Sequence, residues 1–267
     1  MTPNSSSPSD HDFARDTVPL ENGGSMPLLG FGTWQLQGEV AHDAVVTALE
    51  AGYRHLDTAT IYRNEREVGQ ALRDSGVPRD EVFVTTKCPP QQAGREVATL
   101  RESLELMAID NVDLWLLHWP GNDCRSLWSA MQEARELGLA RDIGVSNFDL
   151  DLLDEVTDAT GVRPAVNQVE WSPLLFDSAV LEGHRARGVV LEGYSALRGG
   201  TLEHPVIAAV AERHGRTTAQ VIVRWHLQHG VVVIPRSSKA ERIRSNADVS
   251  GFELSEEDLS ALDALAN

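Results

Sequence analysis

Short apolar runs alternate with amphipathic stretches along most of the chain, and this alternation repeats eight times after residue 29. The runs are typical of strands, and some are apolar throughout, as at Leu114-Trp115-Leu116-Leu117, which suits a strand buried on both faces of a parallel sheet. The predicted strands span residues 30–33, 54–58, 82–87, 113–118, 142–146, 165–170, 189–195 and 231–235. Each is followed by a stretch with helical periodicity, for example at residues 126–137 and 150–160. Eight such units without a linker predict an α/β fold of the (β/α)8 TIM barrel type, which typically needs about 250 residues.

The two ends of the chain contain further signals. Extended runs on either side of Asn22-Gly23 predict an N-terminal β-hairpin, which we expect to cap the bottom of the barrel. Residues 1–16 lack the basic and apolar regions of a signal peptide and are predicted to form a disordered tail. Residues 17–267 are then predicted to form a single domain. Ser255 and Asp258 have the spacing of a capping box at the start of the last helix.

Composition limits the possible partners. The 267 residues include 40 acidic and 23 basic side chains, a formal net charge of −17 at pH 7. Such a surface would repel nucleic acid and anionic membranes, and no apolar run approaches the roughly 20 residues that span a bilayer. The two cysteines, Cys88 and Cys124, form no CxxC or Cys/His group, which indicates a reducing cytoplasm and argues against a zinc site. We therefore expect a cytoplasmic protein without a bound metal.

Polar side chains stand at or near the carboxyl ends of most predicted strands. The second to seventh strands contribute, in order, Asp57, Lys87, His118, Ser146-Asn147, Asn167-Gln168 and Tyr194-Ser195. Tyr62 follows Asp57 by five residues, in the loop before a helix. Because the carboxyl ends of the strands of a parallel barrel open onto one face, these groups are expected to share one cavity.

Seven short motifs occur in an order that is specific in combination. They are Gly32-Thr33-Trp34, His55-Leu56-Asp57-Thr58-Ala59 with Tyr62, Thr86-Lys87, Leu117-His118-Trp119-Pro120, Gly144-Val145-Ser146-Asn147-Phe148, Asn167-Gln168-Val169-Glu170 and Ile234-Pro235-Arg236-Ser237. With these motifs, residues 19–259 resemble the aldo-keto reductases, and in particular short-loop bacterial members similar to 2,5-diketogluconate reductases. The resemblance implies a barrel that reduces aldehydes or ketones to alcohols by hydride transfer from NADPH.

The resemblance also implies a catalytic tetrad of Asp57, Tyr62, Lys87 and His118. Carbonyl reduction needs a proton for the oxygen as well as a hydride for the carbon, and Tyr62 is the expected general acid. A tyrosine has an ordinary pKa of about 10, which the Lys87 ammonium is expected to lower, while Asp57 keeps Lys87 charged. His118 would hydrogen-bond the substrate carbonyl and orient it.

A nicotinamide cofactor would be held by residues at the matching positions of this sequence. The resemblance places the nicotinamide carboxamide against Ser146, Asn147 and Gln168, and the nicotinamide ring on Tyr194. The other implied cofactor residues are Gly32, Thr33, Trp34, Asp57, Ser195, Leu197, Arg236, Ser237, Ser238, Arg242 and Asn246.

Residues 236–244 form a basic island in an acidic chain. The island contains Arg236, Lys239, Arg242 and Arg244 with one acidic residue, Glu241. In the family pattern, Arg236, Ser237 and Arg242 lie where the adenosine 2′-phosphate binds, and guanidinium groups suit a phosphate. The predicted cofactor is therefore NADP(H) rather than NAD(H).

The expected substrate is a small carbonyl compound, which is an aldehyde, a ketone or a keto sugar. It would contact Trp34, Tyr62, His118 and Trp119, and Phe148 is a further candidate for the pocket wall. After Ser195, the sequence Ala196-Leu197-Arg198 replaces the Pro-Leu-Gly that is frequent in the family, so this loop is expected to close differently over a cofactor. The protein is expected to be a monomer.

Two other functions remain open from the sequence. A barrel glycoside hydrolase would use strand-end carboxylates such as Asp57 and Glu170, but this hypothesis leaves Tyr62, Lys87 and the basic island unexplained. A barrel that binds the cofactor and acts as a regulator without turnover is the second alternative, and the intact tetrad argues against it.

Overall fold

The computed structural model describes residues 16–21 and 23–266. Two short strands, β1 (Thr17–Pro19) and β2 (Ser25–Pro27), pair antiparallel at the start of this part of the chain. Eight strands then form one parallel sheet: β3 (Phe31–Gly32), β4 (His55–Asp57), β5 (Phe83–Cys88), β6 (Val112–Leu117), β7 (Ala140–Ser146), β8 (Val166–Glu170), β9 (Val190–Tyr194) and β10 (Val232–Val233). The observed strand ends lie within two residues of the predicted ones.

The eight strands close into a barrel. Strands that follow one another in the sequence are neighbours in the sheet from β3 to β10. The two edges then meet through a parallel bridge between Leu29 and Val233, where the Gly30 amide donates to the Val233 carbonyl at 2.9 Å. A second bond, from the Gly32 amide to the Pro235 carbonyl at 3.2 Å, continues this seam. The predicted (β/α)8 barrel is confirmed.

Ten α-helices lie in the described residues: α1 (Gly38–Glu50), α2 (Glu65–Asp74), α3 (Glu96–Met107), α4 (Cys124–Glu136), α5 (Leu150–Thr160), α6 (Ser178–Arg187), α7 (Pro205–His214), α8 (Thr218–Gln228), α9 (Ala240–Ala247) and α10 (Glu256–Asp263). Helix α5 covers the predicted residues, whereas α4 begins two residues early because the Asp123 carboxylate accepts a hydrogen bond from the Ser126 amide at 3.1 Å. The predicted capping box precedes α10: the Ser255 hydroxyl accepts from the Asp258 amide at 3.1 Å, and the Asp258 carboxylate accepts from the Ser255 amide at 3.2 Å. None of the helices in the described ranges is both long enough and apolar enough to cross a bilayer.

The hairpin of β1 and β2 closes the bottom of the barrel, as predicted. Leu20, in the turn, and Met26, on β2, are buried in one cluster with Phe83, Leu114 and Val232 from the interior of the barrel. Asn22, half of the predicted Asn-Gly turn, lies outside the described residues, as does the predicted tail apart from Asp16. The boundary of the domain at residue 17 therefore stays a prediction.

Side chains inside the barrel change from apolar at the bottom to polar toward the carboxyl ends of the strands. Polar interior residues that are each at most 2% exposed include His55, Asp57, Thr85, Lys87, Gln168 and Glu192. Outside the sheet, large apolar side chains such as Trp115, Trp128 and Trp225 fill the space between strands and helices. The hairpin shields the polar layer from below, so its groups can act only on the upper face of the barrel.

Candidate active site

A cavity of about 780 Å3 opens at the carboxyl ends of the strands. Its wall is formed by strand ends and by the loops that follow β9 and β10. The residues predicted from the sequence that line it are Gly32, Trp34, Asp57, Tyr62, His118, Trp119, Ser146, Asn147, Gln168, Tyr194, Ser195, Leu197, Arg236, Ser237, Ser238, Arg242 and Asn246. The fold therefore gathers into one wall residues that lie up to 214 positions apart in the sequence, from 32 to 246.

An ion pair between Lys87 and Asp57 lies beneath this cavity. The Lys87 Nζ is 2.6 Å from Asp57 Oδ1 and donates to the Thr58 carbonyl at 2.8 Å. Lys87 is fully buried and Asp57 almost so. Burial by itself lowers the pKa of Lys87, but Asp57, with Tyr62 and Glu192, outweighs this effect and raises it overall. The amine therefore keeps its positive charge inside the barrel.

Tyr62 stands at the end of a short 3-10 turn, Thr60–Tyr62, that leads away from β4. The turn is fixed from below because the Thr60 hydroxyl donates to the Lys87 carbonyl at 2.7 Å. The Lys87 Nζ lies 5.1 Å from the centre of the Tyr62 ring. Burial raises the pKa of Tyr62, and although Lys87 opposes this, the net direction is upward. Lys87 acts in the expected direction, but the expected net lowering of this pKa is wrong, because removal of the phenol from water outweighs the nearby ammonium.

His118 follows β6 and lies next to Tyr62. The two rings meet edge to face with their centres 5.7 Å apart. Burial, with a smaller effect of Lys87, lowers the pKa of His118 to about 3, so the imidazole is neutral near neutral pH. Trp119 stacks beside His118 and is 46% exposed, so it extends the wall toward the cavity mouth.

Four polar side chains continue the wall across β7, β8 and β9. The Tyr194 hydroxyl donates to Asn147 Oδ1 at 2.8 Å, and Asn147 Nδ2 donates to Ser146 Oγ at 3.0 Å. Ser146 Oγ in turn donates to the Gln168 backbone carbonyl at 2.7 Å. Asn147 has a left-handed backbone with φ of 63°, which turns the chain out of β7 into the loop. These bonds hold the four residues as one connected surface.

Glu192 contacts the cavity-wall residue Gln168 and was not identified in the sequence analysis. It lies on β9 two positions before Tyr194 and is fully buried. Gln168 Nε2 donates both to Glu192 Oε2 at 2.9 Å and to Asp57 Oδ2 at 2.8 Å. Burial, with a further effect of Asp57, raises the pKa of Glu192 to about 8, so this carboxyl is mainly protonated at neutral pH. Its signal in the sequence is one acidic residue inside the apolar run of residues 189–194.

The basic island divides between the cavity and the outer surface. Arg236, Lys239 and Arg242 line the cavity beside the start of α9. Arg236 donates to Gln35 Oε1 at 2.9 Å. Arg244 is not part of the cavity wall and instead pairs with Glu50 of α1 at 3.4 Å. Three of the four basic residues therefore line the cavity.

Besides Lys87, which lies beneath the cavity, two predicted residues do not line it. Thr33 is fully buried, and its hydroxyl donates to the Asp57 backbone carbonyl at 2.9 Å, so this side chain supports β4. Phe148 is 3% exposed and packs in the outer core, where its amide bonds to Asn167 Oδ1. The left-handed residue Asn147 turns Phe148 away from the cavity.

Several other wall residues were not predicted. They are Ile61, Leu202, Thr217, Thr218, Ala219 and Ser245. Ile61 could have been found from its position beside Tyr62, and it is 50% exposed. The others come from the loop after β9 and from helices α8 and α9, where no motif indicates them.

The loop after β9 contacts the part of the wall that follows β3. The guanidinium carbon of Arg198 lies 4.9 Å from the centre of a Trp34 ring, in the geometry of a cation–π contact. Ser195, Gly199 and Gly200 all have left-handed backbones, with φ of 57°, 66° and 84°. The Arg198 position, where the sequence departs from the common family pattern, thus joins two sides of the cavity.

Comparison with known proteins identifies the family. The sequence profile of the Aldo/keto reductase family matches residues 28–267, and this chain belongs to that family. An aldo-keto reductase of Mycolicibacterium smegmatis is 45% identical over 93% of this chain and 90% of its own length. The glyoxal reductase of Bacillus subtilis is 43% identical over 94% of this chain and 93% of its own length. The crystal structure of an aldo/keto reductase from Brucella melitensis superposes with a TM-score of 0.89 at 39% identity, covering 93% of this chain and 98% of that one.

These relatives establish the general class of the protein. It is an oxidoreductase of the aldo/keto reductase family, and such proteins act on small carbonyl compounds with nicotinamide cofactors.

The raised pKa of Glu192 predicts a pH-dependent stability difference between the protein and a Glu192→Gln variant. Between the ordinary pKa of 4.5 and the folded value of about 8, the native protein holds a proton that the unfolded chain has lost. This contribution to stability falls as the pH rises through that range, and the variant lacks it. The melting temperature of the variant relative to wild type should therefore increase between about pH 5 and about pH 8, measured by thermal unfolding in matched buffers. A difference that stays constant with pH would contradict the prediction.

Proposed function

We propose that the protein reduces aldehydes or ketones to alcohols at the expense of NADPH, with Tyr62 as the general acid. One observation carries the proposal: a protonated phenol lies between an open cavity and a buried ammonium–carboxylate pair, with a neutral imidazole beside it. The cationic side chains of the same cavity supply a place for the phosphate of the cofactor.

The side chains that line the cavity suit nicotinamide adenine dinucleotide phosphate. One end offers hydroxyl and amide groups on Ser146, Asn147 and Gln168, and another part of the wall offers Arg236 and Arg242. Gly32 contributes only backbone to the wall. A side chain does not fit there, because an added Cβ would lie 2.8 Å from the Ile234 carbonyl oxygen.

We assign specific contacts on this basis. The three polar side chains near β7 and β8 would hold the carboxamide, and Tyr194 would stack on the ring. The two arginines and Ser237 would hold the 2′-phosphate, and Asn246 would contact the adenine. When bound, the nicotinamide supplies the hydride for the carbonyl carbon.

Residues of the chain itself would deliver the proton to the carbonyl oxygen. His118, as a neutral imidazole, donates a hydrogen bond to the substrate carbonyl and orients it. Tyr62 remains protonated until negative charge develops on the carbonyl oxygen, and its phenol then donates the proton. Lys87 stabilises the phenolate that results, and Asp57 keeps Lys87 charged. Each of the four residues thus has one role in a single proton transfer.

The rim of the cavity favours small carbonyl substrates with some apolar surface. Trp34, Ile61 and Trp119 are 39%, 50% and 46% exposed around the opening. Since a similar protein is named glyoxal reductase, we include glyoxal with small aldehydes and keto sugars as candidates. A cytoplasmic monomer remains our prediction.

Absorbance of NADPH with a panel of aldehydes, dicarbonyls and keto sugars tests the proposed function. Oxidation of NADPH that depends on the carbonyl supports a reductase. Binding of NADPH without turnover of any carbonyl would favour a regulatory barrel. If the protein did not bind NADPH at all, the glycoside hydrolase hypothesis would be favoured.

A Tyr62→Phe variant should bind NADPH as wild type does but lose reduction. The ring is kept, so packing against His118 persists, while the proton donor is removed. The loss in kcat should be about 10²- to 10⁴-fold, the usual contribution of general acid catalysis. Fluorescence titration with NADPH and steady-state assays measure the two effects. Turnover close to wild type would remove Tyr62 from its role.

Arg236→Leu and Arg242→Leu should each raise the KM for NADPH by about tenfold or more and leave the KM for NADH nearly unchanged, because a charge-assisted bond to the 2′-phosphate is lost. Arg244→Leu is the matched control, since Arg244 lies in the same island but pairs with Glu50 outside the cavity wall. Steady-state kinetics with both cofactors gives the comparison. An equal effect of all three substitutions on NADPH and NADH would show that no phosphate is bound there.

A further inference from the structure

Glu192 is an acidic side chain buried at the centre of the barrel without a basic hydrogen-bond partner. It is 0% exposed, and its polar contacts among the described residues are Gln168 at 2.9 Å from Oε2 and His55 at 3.8 Å from Oε1. Within the described residues, Oε1 has no hydrogen-bond partner. A group so placed requires a reason, because a buried carboxyl is costly to retain.

The position of Gln168 supplies that reason. Its Nε2 donates to Asp57 Oδ2 at 2.8 Å and to Glu192 Oε2 at 2.9 Å. A primary amide nitrogen has two hydrogens, so both are used. The reverse orientation would place the amide oxygen against two carboxyl groups and lose both bonds. Two acceptors, one from β4 and one from β9, therefore fix the amide in a single orientation.

Asp57 alone would fix it less strongly. Asp57 Oδ1 is taken by Lys87, and Oδ2 accepts only one of the two amide hydrogens. Without Glu192 the other hydrogen would be buried without an acceptor, a state that costs free energy. Rotation of the amide would turn the nitrogen toward the cavity and supply acceptors for its hydrogens, at the cost of the bond to Asp57, so the two orientations become closer in free energy.

We propose that Glu192 is a positioning residue, which together with Asp57 directs the Gln168 amide oxygen toward the cavity and so makes this glutamine an acceptor for the N–H of a nicotinamide carboxamide. Gln168 lines the cavity, and its side-chain oxygen has no protein donor among the hydrogen bonds of the described residues. The inference rests on the proposed function, since it concerns the same cofactor.

The charges around Glu192 are compatible with this role. Four titratable groups face it: Asp57 and His55 on β4, Lys87 on β5, and Tyr62 in the turn after β4. Burial and Asp57 raise the pKa of Glu192 to about 8, and burial lowers the pKa of His55 to about 3. Near neutral pH, Glu192 is mainly the neutral acid, whose carbonyl oxygen still accepts from Gln168. Lys87 then balances one carboxylate rather than two.

Binding of two cofactors by one protein sample tests the inference. NADP+ has a carboxamide, and its 3-acetylpyridine analogue has a methyl ketone in the same place, so it lacks the N–H that Gln168 would accept. Both have the same charge, and therefore the ratio of their Kd values is insensitive to the charge of Glu192 and to the folded fraction. Isothermal titration calorimetry measures both Kd values without turnover.

Wild type should bind NADP+ about tenfold more tightly than the analogue, as expected for one hydrogen bond. Glu192→Leu, which keeps the volume but has no acceptor, should shift this ratio toward one. Glu192→Gln keeps an acceptor oxygen and should retain the wild-type ratio. Thr85→Val is the matched control, because Thr85 is equally buried in the same layer and contacts His55 but not Gln168.

Equal affinities for the two cofactors in wild type, or an unchanged ratio in Glu192→Leu, would overturn the inference. A ratio that falls equally in Thr85→Val would reduce Glu192 to a general structural role and would also overturn it. Failure of the wild-type protein to bind either cofactor would instead contradict the proposed function on which the inference rests.

Discussion

The buried ion pair of Lys87 and Asp57 is the interaction on which the rest of the site depends. An ammonium inside a barrel retains its charge only with a counter-ion and further acceptors, which Asp57 and the Thr58 carbonyl provide at 2.6 and 2.8 Å. The same carboxylate accepts from Gln168, so one group orders both the proton-donating and the amide-bearing walls. The closed sheet brings the β4 and β5 partners into adjacent positions, and the hairpin below excludes solvent from them.

The site combines charge with exclusion of water, which act in opposite directions on the pKa of Tyr62 and in the same direction on the pKa of His118. Burial raises the pKa of Tyr62 and lowers that of His118, which leaves a neutral acid and a neutral imidazole at the cavity. Lys87 opposes the shift of Tyr62, so the phenol can release its proton when charge develops on a substrate. Glu192 extends this arrangement to the floor of the cavity, where a mainly neutral carboxyl orders Gln168 without a second negative charge.

Much of the fold and of the cavity wall was predictable from the sequence, because alternation of apolar and amphipathic runs defines strands, and polar residues at the ends of parallel strands must meet. The direction of the pKa shift of Tyr62 was not predictable, because it depends on burial, which the spacing of residues in the sequence does not reveal. The orientation of Thr33 and Phe148 and the pairing of Arg244 with Glu50 depend on local backbone turns and on helix packing across 194 positions. Glu192 had a signal, an acid in an apolar strand on the face of Tyr194, but its partners come from other strands.

A double-mutant cycle on Asp57→Asn and Lys87→Met, measured as the free energy of unfolding in denaturant, tests the ion pair most directly. Each single variant leaves one buried charge or partner uncompensated and should lose about 3–5 kcal/mol. The double variant should lose less than the sum of the two by more than about 1 kcal/mol, because neither charge is then left alone. Losses that simply add would mean that the two groups do not depend on each other, and would contradict the account of the site.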